Sequence, residues 1–361
     1  MTIFINLLPY ITLLLLAFFV PFLTGRKFHI TFLFFILFIF AGFRDEVGWD
    51  YFNYLLTMED VGWRIANTEF LMRQLELFCY NHGTPRLFFV VTSFLTVLCY
   101  FMTIAKESRN PSASIIAFLC FPVLFLSSLV TIRFSLAVAI VFLSYHFLSN
   151  KRYLWYLVLL VAAFFVHKAA LFAVFTMPFL VLHISFNLRT NLVILFLSYL
   201  FGILFNSFTF FSSIDFTFLN EFGFEDITQG IETYMVESSR GFSRTPYLYA
   251  LVDIIILLSY NGKAKQNGDD PLGLYITMFN IGCSITFLFT FNPTFASRIG
   301  QFFLCFFVLI VPYLKRGSVQ QVVIYSILIF VYVYQLVLPG FHPDFIGRVN
   351  CWLPYRMNFA L

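Results

Sequence analysis

Charge is what this sequence has least of. Asp, Glu, Lys and Arg make up 11% of its 361 residues, against about 25% in a soluble domain. That scarcity excludes a water-exposed surface over most of the chain. Cysteine supplies no framework either. Cys79, Cys99, Cys120, Cys283, Cys305 and Cys351 are scattered, with no CxxC pair and no Cys/His metal spacing, so they read as small buried hydrophobes. No Lys or Arg precedes the first apolar run, whereas Arg26 and Lys27 follow it. A cleaved export signal has the reverse polarity, so this run reads as a first span whose N-terminus faces outward. Internal repeats and low-complexity linkers are missing as well.

What is present is apolar: 60% of residues are hydrophobic and 54 are Phe. Apolar runs cover 4–24, 28–42, 86–105, 112–128, 131–149, 153–167, 169–186, 191–211, 246–260, 271–291, 298–314 and 318–338. Runs of this length predict membrane helices rather than soluble domains. The expectation is an all-α polytopic membrane protein of about 12 transmembrane helices, forming one integral membrane domain. The pair over 153–186 reads either as two spans or as a broken, re-entrant hairpin.

Six short junctions carry Lys or Arg: Arg26/Lys27, Lys106/Arg109, Lys151/Arg152, Arg189, Lys263/Lys265 and Lys315/Arg316. With these spans, all six fall on one side, which reads as cytoplasmic. The opposite side receives the long segments, 43–85 and 212–245, the tail from 339, and the breaks at 167–168 and 292–297. It also takes nearly all the acids, apart from Glu107, Asp269 and Asp270 inside and Asp253 within a span. Such a face is either a site for a polar, anionic substrate or a set of solvated loops. An intramembrane acid such as Asp253 is expected to have a basic partner on a neighbouring helix.

The densest feature runs from Phe43 to Tyr54, where Arg44, Gly48, Asp50 and Tyr54 are spaced R-x3-G-x-D-x3-Y, with Asp45, Glu46 and Tyr51 between them. Gly48 permits a turn. Residues 66–80 are amphipathic, with Phe70, Leu71, Leu75 and Phe78 against Glu69, Arg73 and Glu76. That stretch is too short to span and predicts a helix lying in the interface, apolar face down. Glu69 is then either a boundary carboxylate with a chemical role or a solvated face residue. Arg133 and Arg298 each open an apolar helix. They either snorkel or grip a diphosphate through bidentate forks. His167 and Lys168 interrupt an apolar run; His167 reads as a base, a phosphate donor or a helix-end cap. The loop 212–245, with Arg240 and Arg244, suits sugar recognition or a solvated lid.

These residues resemble the EpsG-like branch of the Wzy-type polysaccharide polymerases. The resemblance rests on Arg44-x3-Gly48-x-Asp50-x3-Tyr54, Thr131-Ile132-Arg133 with Ser135-Leu136-Ala137, His167 with Ala170-Leu171, Ser297-Arg298-Ile299 and Pro354-Tyr355-Arg356, in that order. Phe134 stands where the family usually carries Gln, and Ala169 and Ala170 where a Ser is common. The resemblance implies a GT-C-like membrane glycosyltransferase acting on the outer face of a bacterial inner membrane. It would move a growing glycan from polyprenyl diphosphate to the non-reducing end of a new lipid-linked repeat unit, making O-antigen, capsule or exopolysaccharide.

Under that resemblance Arg44, Arg133 and Arg298 are the diphosphate ligands. Asp50 is the first choice of base, followed by Asp45, Glu69 and His167. Gly48, Tyr51, Tyr54, Lys168, Arg240, Arg244 and Tyr355 line the substrate. No metal, cofactor or nucleic acid is expected. The partners are polyprenyl-diphosphate-linked oligosaccharides, the bilayer, a chain-length regulator and a flippase. The competing readings are a polymer ligase using the same donor, a lipid-oligosaccharide flippase or other transporter, and a non-catalytic scaffold. A transporter would place charge along a central path and at both gates, whereas here it is one-sided.

Overall fold

A computed structural model describes residues 2–59, 68–204, 245–260, 271–290, 293–315, 317–337 and 351–360. Where the sequence reads as one domain, these residues form two compact units: Met1–Val174 with Phe307–Leu361, and Phe175–Phe306.

The first unit opens with α1 (Thr2–Leu23) and α2 (Arg26–Gly42), followed by a short strand, β1 (Arg44–Asp45). Next come α3 (Tyr51–Glu59), α4 (Phe70–Asn81), α5 (Leu87–Glu107), α6 (Pro111–Cys120), α7 (Phe125–Val130), α8 (Ile132–Ser149) and α9 (Tyr153–Val166). α5 packs against α2 and α8, and α9 lies along α8. α6 is deeply placed, all but one of its residues being buried. Asn110 caps it by accepting the Ala113 N–H, and Pro111 occupies the first turn, where a missing N–H does no harm.

Three expected spans are not continuous helices, among them 298–314, which is helical to Leu304 and again from Phe307. The run 112–128 breaks after Cys120, where Phe121 is extended (ψ 125°). Pro122 follows it, and proline disfavours a helical conformation in the residue before it; the chain becomes helical again at Phe125. The run 169–186 is a 3-10 segment, Lys168–Thr176, followed by α10 (Met177–Val181) with Pro178 in its first turn. His167 ends α9 in an extended conformation (φ −158°, ψ 124°), so the break expected there is present.

In the second unit α13 (Leu272–Leu288) is the central helix, packed by α11 (Leu188–Leu204), α12 (Thr245–Tyr260) and α14 (Pro293–Leu304). Gly202 lets α11 approach α13 closely: a Cβ there would stand 2.3 Å from the Phe287 carbonyl oxygen. Asp253 is fully buried, and its hydrogen-bond partner is an amide rather than the expected base, Asn280 donating at 2.6 Å. The chain returns to the first unit through α15 (Phe307–Ile310) and α16 (Val319–Val337) and closes with β2 (Arg356–Met357).

Among the described residues five helical runs are long and apolar enough to cross a membrane: Ile5–Leu23, Leu87–Glu107, Ile132–Ser149, Thr294–Tyr313 and Val319–Val337. Seven shorter apolar helices accompany them. Ile5, Leu8, Phe19, Leu154, Leu157, Val161 and Phe330 are exposed, as lipid-facing side chains must be. The protein is an all-α, multi-pass membrane protein.

Candidate functional site

The R-x3-G-x-D-x3-Y stretch divides into a structural half and a site-forming half. Arg44 is 2% exposed. Its guanidinium donates to the carbonyls of Ala41, Val47 (3.2 Å) and Leu129 (3.3 Å) and to the Ser93 hydroxyl (3.2 Å). It also lies over the Phe89 ring, 5.2 Å from the centroid. One side chain thereby ties the end of α2, the following loop, α5 and α7 together. This corrects the expectation that Arg44 grips a diphosphate, because its donors already serve buried carbonyls.

Gly48 completes that loop. Its φ is +106°, and a Cβ would sit 2.1 Å from the Leu129 carbonyl oxygen. Its place is set by this close approach rather than by a substrate. Its N–H donates to the Cys351 carbonyl (2.9 Å), so the C-terminal segment holds the turn. β1 pairs antiparallel with β2 through Arg44–Met357 and Asp45–Arg356. Tyr355 belongs to the same scaffold. Its ring stacks on Phe40 at 4.0 Å and its hydroxyl donates to the Phe40 carbonyl (2.7 Å). The substrate contact expected of Tyr355 gives way to this packing.

Asp45 accepts from Arg86 (3.1 Å) and from the Tyr51 hydroxyl (2.9 Å). Burial, then that bond, pushes the Tyr51 phenol up to about 12, and its ring stacks on Phe89 (4.6 Å). Asp45 and Tyr51 thus pair with each other. Asp50 stands immediately before α3, its carbonyl accepting the Tyr54 N–H (3.0 Å), a position that favours Asp.

The site-forming half gathers around Arg133, at the start of α8. Its guanidinium donates to Glu69 Oε2 (2.9 Å) and to the Tyr54 hydroxyl (3.4 Å), and lies 5.7 Å from the Tyr54 ring centroid. Glu69 immediately precedes α4, and its other oxygen accepts the Lys168 N–H (3.2 Å). The Arg133 side chain is 29% exposed and that of Glu69 12%, so the pair opens to the surroundings while resting on a buried floor. His167 turns inward to cap the break: its Nδ1 accepts the Ala169 N–H (3.1 Å), and its ring meets Phe134 edge-on. Of the three roles open to His167, the cap is the one this geometry performs. Phe134 fills by ring contact the place where a polar residue is usual.

The floor contains a residue that sequence reasoning set aside. Glu76, expected on the water-facing side of the interfacial helix, is 1% exposed. α4 turns Met72, Glu76 and Cys79 inward and leaves Phe70, Leu71 and Phe78 exposed with Gln74 among them, so the exposed face is mostly apolar, as suits a helix resting on lipid. Burial pushes the Glu76 carboxyl up to about 7, opposed by the Arg133 charge and a hydrogen bond with Thr68 and reinforced by Glu69. Its Oε2 has no hydrogen-bond partner among the described residues. The signal was the spacing Glu69, Met72, Glu76, Cys79, one stripe of a helix.

The structure therefore brings together Tyr54, Glu69, Arg133, His167 and the Lys168 backbone, with Asp50 acting on Tyr54 through its charge. Arg298, on α14, is half-buried and belongs to the second unit. Arg240 and Arg244, with the 212–244 part of their loop, lie outside the described residues. No group of three or more His, Cys, Asp or Glu side chains suited to a metal occurs among the described residues. One guanidinium facing two carboxylates and a phenol can bind an anion and hold a proton.

No curated protein and no solved structure matches the chain. The EpsG family model matches residues 27–357. The match runs from the first turn of α2 to the end of β2, taking in both the Arg44 clamp and the Arg133 cluster, and it shows that the chain belongs to the EpsG family.

Proposed function

We propose that this protein is a membrane glycosyltransferase of the polysaccharide-polymerase type. It moves a growing glycan from polyprenyl diphosphate to the non-reducing end of a new lipid-linked repeat unit, on the outer face of a bacterial inner membrane. Family membership supports the class of reaction. The observation that carries the site is the half-exposed Arg133, held by Glu69 and Tyr54 beside the exposed Phe70 of an interfacial helix. A diphosphate offering Arg133 a bidentate, charge-assisted contact replaces the charge partner that Glu69 supplies, and so can displace it.

In this reading the acceptor hydroxyl oxygen bonds to the anomeric carbon. The bond from that carbon to the diphosphate oxygen breaks, and the diphosphate leaves with the electron pair, stabilised by Arg133. The hydroxyl proton passes to a carboxylate, either the displaced Glu69 or Asp50. Asp45 and the Nδ1 of His167 are already engaged. Lys168 and Tyr54 face the substrate. Arg44, Tyr355 and Gly48 shape the loop beneath. About twelve spans and a GT-C-like arrangement complete the proposal, with a flippase and a chain-length regulator as partners.

A deletion strain complemented with wild type or Arg133→Ala tests it. Deletion, and the variant at normal membrane levels, should leave single capped repeats and no polymer. Unchanged chain length in the deletion strain overturns the polymerase reading.

A further inference from the structure

The Arg133 cluster carries an imbalance that anion binding must worsen. Two carboxylates, Glu69 and Glu76, face one guanidinium, and only Glu69 has the direct contact. Glu76 is buried, and among the described residues its Oε2 has no hydrogen-bond partner. A buried carboxylate with an unmet oxygen is costly when ionised. A diphosphate adds further negative charge at Arg133, the cation that helps Glu76 ionise.

We propose that Glu76 takes up a proton as a diphosphate settles on Arg133, so that binding of an anionic lipid is linked to protonation of a residue beneath the site. This rests on the reading of Arg133 as a diphosphate ligand. Glu76 is a positioning residue here: it acts through Arg133 and touches no substrate. Its ordinary proton affinity is already displaced upward, to about 7, so a further rise falls in the neutral range. Among the described residues its neighbours come from several elements. Arg133 comes from α8 and Glu69 from the residue before α4. Tyr54, from α3, has its phenol pushed upward by burial and stays neutral. Cys79, one turn along α4, is pushed up to about 11 by burial and by Glu76. Thr68 hydrogen-bonds the carboxyl. At the end of α9, His167 is the rival proton acceptor, and Lys168 adds its backbone N–H beside Glu69.

Linkage then sets the sign. If the bound state holds more protons than the free state, affinity falls as pH rises, by at most about tenfold per pH unit for one proton. The probe is a short prenyl diphosphoryl glucose, a diphosphate diester that does not itself titrate near neutrality. Its binding to the full-length protein in detergent is measured at pH 6 and pH 8 for wild type, Glu76→Gln and Arg133→Ala. Wild type should bind about tenfold more weakly at pH 8 than at pH 6. Glu76→Gln, a neutral isostere of the protonated acid, should bind alike at both. Calorimetry of wild type in buffers of different ionisation enthalpy should show net proton uptake on binding, which needs no variant to fold. Binding that requires Arg133 yet keeps its pH slope in Glu76→Gln, or proceeds without proton uptake, overturns the Glu76 linkage alone. Binding indifferent to Arg133→Ala, or absent at both pH values, overturns the diphosphate assignment beneath it.

Discussion

Arg44 and Arg133 are the same residue in two regions of one unit, and their surroundings give them opposite uses. Arg44 is enclosed, and three carbonyls and a hydroxyl take its donors. Arg133 keeps nearly a third of its side chain exposed and holds a carboxylate and a phenol. Phe89 lies under Arg44, and Tyr54 lies under Arg133 with its ring 6.3 Å from that of Phe89. One arginine organises backbone, and the other presents charge to a visitor. A charge beside a membrane therefore points to a ligand only when its donors are not already committed to the fold.

The comparison can be broken most forcefully at Arg44. Arg44→Ala leaves buried carbonyls without donors and should lower stability by about 3–5 kcal/mol. It should show as loss of monodisperse protein and a lower melting temperature in detergent. A folded Arg44→Ala protein that merely fails to polymerise would return Arg44 to the substrate. Gly48→Ala follows at about 2–4 kcal/mol, from the positive φ and the clash with the Leu129 carbonyl. Thermal unfolding checks it, and a melting curve like that of wild type contradicts the close approach.

Arg133→Lys sharpens the other side. It keeps the charge and loses the fork, so polymer formation should fall about a hundredfold, equivalent to about 2.7 kcal/mol. Stability should change by less than about 1 kcal/mol. Equal losses in both would make Arg133 a second structural arginine. Tyr355→Phe has the smallest expected effect: losing the bond to the Phe40 carbonyl costs about 1 kcal/mol, with chain length unchanged. A shortened polymer there would reinstate Tyr355 as a substrate contact.

Much of the architecture was legible because apolar runs in a membrane leave little choice but helix. The run 86–105 is realised as Leu87–Glu107, and 131–149 as Ile132–Ser149. The interruption at Phe121 was not read, since its neighbours are as apolar as a span, and only Pro122 marks it. In the site, Arg133 stood out because a charge at an apolar helix end is rare, and Tyr54 and Glu69 only through the spaced motif and the amphipathic stretch that carry them. Their mutual contacts were not legible, since Arg133 and Glu69 are 64 residues apart in sequence. Glu76 escaped because an amphipathic pattern sorts residues by polarity, and α4 instead turns this one carboxylate inward between Met72 and Cys79. The structural role of Arg44 was illegible because its partners are mostly backbone carbonyls, which every residue possesses.

The pairing of β1 with β2 has a consequence for biosynthesis. Arg44 and Met357 stand opposite one another across more than three hundred residues of chain. During translation the loop carrying Gly48 emerges early, but the Cys351 carbonyl that receives its N–H is made some three hundred residues later. The nascent protein therefore makes the helices between them with this loop unfinished, and the loop closes only once Cys351 has been added. A premature stop between α16 and Cys351 would leave the turn beneath the Arg133 cluster without its latch.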